Sequence, residues 1–203
     1  MIDPVVVNIY VMDSSRVDID AILKLPLFTR EDIDSFNKYV DEQVRKEKIV
    51  STYLKRNVIG EYHLGERGKP LSDKIHFNVS HSHGLVMLAL SKDYPIGIDL
   101  ELVRKVNPKL LDSVTNNEEK EFIKCDKDFY KIWTSKESLL KACGSGINKR
   151  LEQVPGLPLD GVRTYENKRY VSQTREYGEY VFTVTLEKYP LDGFGIIYIR
   201  NVE

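Results

Sequence analysis

One stretch constrains this chain more than any other: Phe129-Tyr-Lys-Ile-Trp-Thr-Ser-Lys-Glu-Ser-Leu-Leu-Lys-Ala-Cys-Gly-Ser-Gly146. Phe129, Ile132, Trp133, Leu140 and Cys143 recur at helical spacing and mark one apolar face. Continued through its middle, that stripe lands on Lys136 and Glu137. A charged side chain on a core-facing stripe costs free energy unless it is paired or binds a ligand. Glu137 and Lys141, four apart, also fit an ordinary surface ion pair worth about 0.3 kcal/mol. Against that, Glu137 stands four residues from Trp133 and three from Leu140, on the stripe itself. Gly144 and Gly146 end the helix.

The rest of the chain alternates helical and extended segments. Val5 to Met12 is rich in β-branched residues and reads as a first strand. Asp18 to Leu25 reads as a short helix. Thr29-Arg-Glu-Asp is an N-cap with acids in the first turn, from which a helix runs to about Lys48, with a helical segment Ile49 to Ile59 following or continuing it. Gly60, Gly65 and Gly68-Lys-Pro70 break the chain into loops. A β-meander follows: Ile75, Phe77 and Val79 alternate with polar residues, Gly84 to Leu90 is apolar, and Ile96 to Glu101 alternates again. Glu101 to Pro108 reads as a linker. Thr115-Asn-Asn-Glu-Glu carries a capping signature. Arg163 to Val171, Tyr180 to Leu186 and Gly195 to Ile199 read as strands. The order α, then β-meander, appears twice. The expected fold is α+β, a pseudo-duplicated pair of subdomains over residues 1–102 and 103–203, with the active site in the cleft between them.

Composition excludes several classes. The 203 residues carry a net charge of −1, which gives no electrostatic case for nucleic acid. With 41% hydrophobic and 30% charged residues the chain is globular rather than disordered. Cys125 and Cys143 form neither a disulfide framework nor a zinc-ligand pattern, pointing to a reducing compartment. The first residues do not read as a signal peptide, with no basic region followed by a long apolar run, and no apolar run approaches the ~20 residues of a membrane span. The expectation is a cytoplasmic monomer without membrane or nucleic-acid partners.

Pro95-Ile-Gly-Ile-Asp-Leu-Glu101 is the second informative segment. On a strand, Ile96, Ile98 and Leu100 share one face, and Asp99 and Glu101 the other, their Cα atoms roughly 6.6 Å apart. Such a pair is either a solvated strand face or two ligands for a hard divalent cation such as Mg²⁺. Ser80-His81-Ser82-His83 closes the preceding strand. His81 can bind phosphate, hold a metal or act as a base; its alternation with His83 also suits zinc, which the lack of zinc-spaced cysteines disfavours. Arg45, Lys46 and Lys48, with Lys38 nearby, form a basic cluster that is either a solvated helix face or an anion site. Lys69 is equally ambiguous.

Taken in order, Gly68-Lys-Pro70, Phe77-Asn-Val-Ser-His81-Ser, Gly97-Ile-Asp-Leu-Glu101 and Trp133-Thr-Ser-Lys-Glu-Ser-Leu-Leu-Lys141 resemble the 4′-phosphopantetheinyl transferases, most closely the surfactin type, built as two similar α+β halves in one chain. The resemblance implies transfer of phosphopantetheine from coenzyme A to a serine of an apo acyl or peptidyl carrier protein, with release of adenosine 3′,5′-bisphosphate. It implies Asp99, Glu101 and Glu137 as ligands of Mg²⁺, or Mn²⁺, and Glu137 as base, directly or through a water. His81, with Ser80 beside it, corresponds to the phosphate-contacting histidine and Lys141 to the lysine on the pyrophosphate. Lys69 falls near the adenosine end, and Arg45, Lys46 and Lys48 where the 3′-phosphate is recruited. Lys120, Lys124 and Lys127 are candidates for contacting the carrier by position. Lys136 is left with a contact to coenzyme A or to a neighbouring acid.

Overall fold

The computed structural model describes residues 5–65, 68–146, 150–187 and 197–202. The first strand, β1 (Val7–Asp13), leads into two short helices, α1 (Ile19–Leu23) and α2 (Arg30–Phe36). Thr29 and Asp32 form a capping box on α2. The expected single helix from Thr29 to Lys48 is broken. Asn37 caps α2 at its C-terminus, and Asp41 starts α3 (Glu42–Val58) by accepting the N–H of Val44. Two competing local caps thus split one amphipathic pattern. Ile49 to Ile59 proves to be the continuation of α3.

Two-residue strands β2 (His63–Leu64) and β3 (Pro70–Leu71) pair around the Gly68 loop. Then come β4 (His76–Ser82), β5 (Leu85–Ser91) and β6 (Ile96–Leu102). The sequence places these three in one meander. In the structure β4 and β5 form a hairpin, but β6 leaves their sheet and pairs with β9 (Tyr180–Glu187). Helices α4 (Pro108–Val114), α5 (Asn117–Phe122) and α6 (Asp126–Cys143) follow, then a 3-10 turn at Leu151–Gln153. The sequence reading missed α4, which follows the 101–108 linker with Asn107 as its cap. The expected strand Arg163–Val171 is a hairpin, β7 (Gly161–Tyr165) and β8 (Lys168–Tyr177), folded at Glu166 and Asn167, both with positive φ. β10 (Ile197–Asn201) is parallel to β1; Gly195 and Phe194 before it lie outside the described residues.

The result is a mixed α+β chain with two four-stranded sheets, ordered β10-β1-β5-β4 and β6-β9-β8-β7. Sheet membership crosses the 102/103 boundary read from the sequence, because β6 joins the later strands and β10 joins the earliest. The cores explain the layering. One side of the first sheet packs Val86, Leu88 and Leu90 against Ile49, Val50 and Leu54 of α3. Its other side packs Ile9, Met87 and Ala89 against Ile96, Ile98 and Leu100 of β6. The apolar alternation of β6 is therefore real, and Gly97, Asp99 and Glu101 face the other way, toward α6. α6 ends where Gly144 adopts a left-handed conformation, φ 73°.

Gly97 sets how close α6 comes to β6. A Cβ added there would lie 2.0 Å from the carbonyl oxygen of Ser138 and 2.5 Å from the nitrogen of Ala142. Helix and strand thus meet backbone to backbone. Gly97→Ala is expected to destabilise the chain by about 1–3 kcal/mol and to push Glu137 away from Asp99. Urea unfolding measures this, and an unchanged midpoint would show that the two backbones are not in contact.

Candidate active site

Among the described residues β4 is the edge strand of the first sheet, and β6 has no backbone partner on the side facing it. Side chains close that gap. Asn78 Oδ1 accepts the Ile98 N–H at 3.0 Å, Ser80 Oγ the Leu100 N–H at 3.2 Å, and Ser82 Oγ the Leu102 N–H at 3.3 Å. The same hydroxyls donate onward, Ser80 to Asp99 Oδ1 at 3.1 Å and Ser82 to Glu101 Oε2 at 2.8 Å. The serines therefore fix both carboxylates of β6 while satisfying its main chain.

From the opposite side α6 brings Glu137 and Lys141, one turn apart. Lys141 Nζ donates to Asp99 Oδ1 at 2.6 Å and to Ser80 Oγ at 3.1 Å. Glu137 is buried, and its carboxyl is raised to about 7 by burial first, then by Asp99, against the opposing pull of Lys141. Burial and Asp99 also raise Glu101, with Ser82 and Lys141 acting against them. Three carboxylates thus feel one another electrostatically. Among the described residues no three acidic, histidine or cysteine side chains are already closed around a metal position. The donor set nevertheless suits a hard cation: Asp99 Oδ2 is buried and has no hydrogen-bond partner among the described residues, and Asp99 and Glu101 both act on the Glu137 carboxyl.

Beside Lys141 opens a cavity of about 340 Å³ lined by Gly68, Lys69, Pro70, Asn78, Lys141 and Gly144, among others. Lys69 Nζ donates to the carbonyl of Lys141, joining the Gly-Lys-Pro loop to the end of α6. Four sequence candidates, Lys69, Ser80, Asp99 and Lys141, are thereby brought together, with Glu101 and Glu137 alongside.

His81 is not in that group. Strand alternation turns it to the α3 side of β4, where Nδ1 lies 2.7 Å from Glu47 Oε2. It joins α3 and its basic cluster instead. Within that cluster Lys46 pairs with Glu42 at 2.8 Å, and Arg45 donates to Asn37 at 3.3 Å.

Lys136 and Glu137 part company. Glu137 turns to the carboxylates, whereas Lys136 is fully buried on the other flank. Its Nζ meets Glu119 Oε2 at 2.6 Å and donates to the carbonyls of Val114 and Leu151. Glu119 in turn accepts the N–H groups of Asn116 and Gly156. Of the two contacts open to Lys136 in the sequence, the neighbouring acid is the one formed. Sequence reasoning assigned Glu119, Gly97 and Asn78 no role beyond the motifs that contain them, and Glu47 none. The signal for Asn78 was present, as one of four polar residues, His76, Asn78, Ser80 and Ser82, at alternate positions of β4. Glu47 was hidden as the single acid inside a basic run.

A family model described as the 4′-phosphopantetheinyl transferase superfamily matches residues 95–189, which hold β6, α6 and their carboxylates. The chain is similar to the 4′-phosphopantetheinyl transferase ffp of Bacillus subtilis, 31% identical over 163 residues, covering 70% of this chain and 69% of that protein. It belongs to the 4′-phosphopantetheinyl transferase superfamily. Its match to 4′-phosphopantetheinyl transferase gsp of Aneurinibacillus migulanus is 34% identical over 93 residues, 42% of this chain and 39% of the relative. The match to 4′-phosphopantetheinyl transferase HetI of a Nostoc species is 32% identical over 145 residues, 58% and 60%. The matched stretch thus spans between two fifths and about two thirds of these relatives' lengths.

Two outcomes test this arrangement of the transferase-family chain. Lys136→Met removes one member of a buried ion pair and is expected to cost about 3–5 kcal/mol, read by chemical denaturation; a loss below 1 kcal/mol would contradict the pairing. Folded, Glu137 keeps its proton up to about pH 7; unfolded, it releases it near 4.5. The folded state therefore binds the extra proton between those values, and the stability of the metal-free chain falls as pH rises through that window. Glu137→Gln is expected to flatten that slope in melting temperature against pH.

Proposed function

We propose that this chain transfers the 4′-phosphopantetheine group of coenzyme A to a serine of an apo carrier protein, releasing adenosine 3′,5′-bisphosphate, in a Mg²⁺-dependent reaction. One observation carries the reading above the others: Asp99 and Glu101 act electrostatically on the buried Glu137, and Lys141, which pairs with Asp99, also lines a cavity with Lys69 and the Gly-Lys-Pro loop. Membership of the family supports the same conclusion.

Asp99, Glu101 and Glu137 are the groups to hold Mg²⁺, or Mn²⁺, and such an ion supplies charge neutralisation at the diphosphate. Lys141 sits where it can contact the pyrophosphate once that group lies along the cavity, and Lys69 is placed for the adenosine side. The carrier serine oxygen bonds to the β-phosphorus, and the bond from that phosphorus to the bridging oxygen breaks, with its electron pair leaving on adenosine bisphosphate. Glu137 is the acceptor for the serine proton, directly or through a water. Catalysis of this kind is mostly positioning and electrostatic stabilisation.

The division into two α+β halves, pseudo-duplicated and enclosing the site in the cleft between them, belongs to this reading, as do a monomeric state and a cytoplasmic location. No helix among the described residues is long and apolar enough to cross a membrane. For the carrier, Leu110 on α4 and Phe122 on α5 are exposed, and Lys120, Lys124 and Lys127 flank Phe122 along the chain. Two of those lysines lie in surface ion pairs, Lys120 with Asp112 and Lys127 with Glu176, which an acidic carrier can exchange for its own charges.

Incubation with coenzyme A, Mg²⁺ and a panel of apo carriers, read by intact mass, is expected to add one phosphopantetheine per carrier. Hydrolysis of coenzyme A without any acceptor would identify a phosphoesterase instead. Glu137→Gln is expected to cut turnover by about 10²–10⁴-fold while the circular dichroism spectrum stays unchanged; full activity in that variant would remove Glu137 from the site.

A further inference from the structure

Glu47 is an acid inside a basic helix face, and it is almost wholly buried, at 5% exposure. Three donors converge on its carboxylate. The Gly84 N–H reaches Oε1 at 2.6 Å, Gln43 Nε2 reaches the same oxygen at 3.2 Å, and His81 Nδ1 stands 2.7 Å from Oε2. Burial raises the Glu47 carboxyl, yet the hydrogen bonds from His81, Gly84 and Gln43 outweigh it and leave its pKa lowered. A carboxylate only accepts, so the proton between Glu47 and His81 sits on Nδ1. The imidazole then presents Nε2 outward, and its side chain keeps 40% exposure for a ligand. The Gly84 bond ties the same carboxylate to the turn between β4 and β5, so ring and strand end are held by one group.

We propose that Glu47 is a positioning residue for coenzyme A binding: it pins the ring and tautomer of His81, so that Nε2 faces the incoming phosphate. This rests on reading His81 as a phosphate contact. Pinned in this way, His81 donates to a phosphate only as imidazolium, and Glu47 balances that charge from behind. Carboxylate partners behind functional histidines act similarly in metal sites, fixing tautomer and orientation.

Glu47→Gln separates this role from simple packing, because the amide has the same shape but only one acceptor. Its oxygen stays with two donors, Gly84 and Gln43, and its NH₂ turns to His81. Nδ1 must then accept, and the proton moves to Nε2. Nitrogen-15 NMR of labelled histidine at about pH 9, where imidazole is neutral, is expected to show Nδ1–H in the wild type and Nε2–H in Glu47→Gln. The variant's KM for coenzyme A is expected to rise about tenfold with a smaller change in kcat. In a His81→Ala background the same substitution is expected to add nothing further to KM. The same tautomer in both proteins would overturn the proposal. So would a full additional KM effect in the His81→Ala background, or a loss confined to kcat. If the wild type modifies no carrier, it is the transferase reading that fails, and the NMR comparison on the free protein still decides whether Glu47 sets the tautomer.

Discussion

The structure depends on how the free edge of β6 is closed. That strand carries Asp99 and Glu101, contributes its apolar face to the core between the sheets, and lies against α6, yet among the described residues its only backbone ladder is with β9. An unpaired buried N–H costs about 1–3 kcal/mol, and three of them point toward β4. Asn78, Ser80 and Ser82 supply the missing acceptors from side chains. A hydroxyl is suited to this because it accepts and donates at once. The serines take a main-chain N–H on one side and give a proton to a carboxylate on the other. The atoms that join the two sheets are the atoms that orient the acids.

That arrangement gathers negative charge where water is scarce. Asp99 shares its Oδ1 between Ser80 and Lys141, leaving Oδ2 without a partner among the described residues, and burial, with Asp99 next, raises the Glu137 carboxyl to about 7. α6 is anchored independently of these acids. Lys136 ties one flank to Glu119 and two carbonyls, and Gly97 lets the helix rest directly on the strand. Two adjacent charges in the sequence therefore do opposite things, Lys136 holding the helix in place and Glu137 facing the site.

Much of this was legible in the sequence, for identifiable reasons. The alternation of Ile96, Ile98 and Leu100 against Asp99 and Glu101 follows from strand geometry alone, and the β6 faces match it. The interrupted stripe of α6 showed that Lys136 and Glu137 needed partners, though not which. What stayed hidden depends on long-range choice. Local alternation cannot tell whether β6 pairs with β5 or with β9, so the meander was extended one strand too far. Nor can it tell which side of β4 faces α3, so the Glu47 partner of His81 could not be read from it. Helix periodicity ran straight through residues 37–41 because the caps at Asn37 and Asp41 are short polar signals inside a continuing amphipathic pattern.

The exchange of strands between the sheets bears on what counts as a unit of this fold. β6 crosses into the second sheet after a four-residue turn at 92–95, and β10 returns to lie along β1. A chain severed at 102/103 would leave β9 without β6 in one fragment and β1 without β10 in the other. Each piece would then present an open strand edge and half of an apolar interface, and exposed edges of that kind seek partners. The two fragments are thus built to complement each other and not to stand apart, so their reassembly rather than their separate folding is the natural property of a protein divided there.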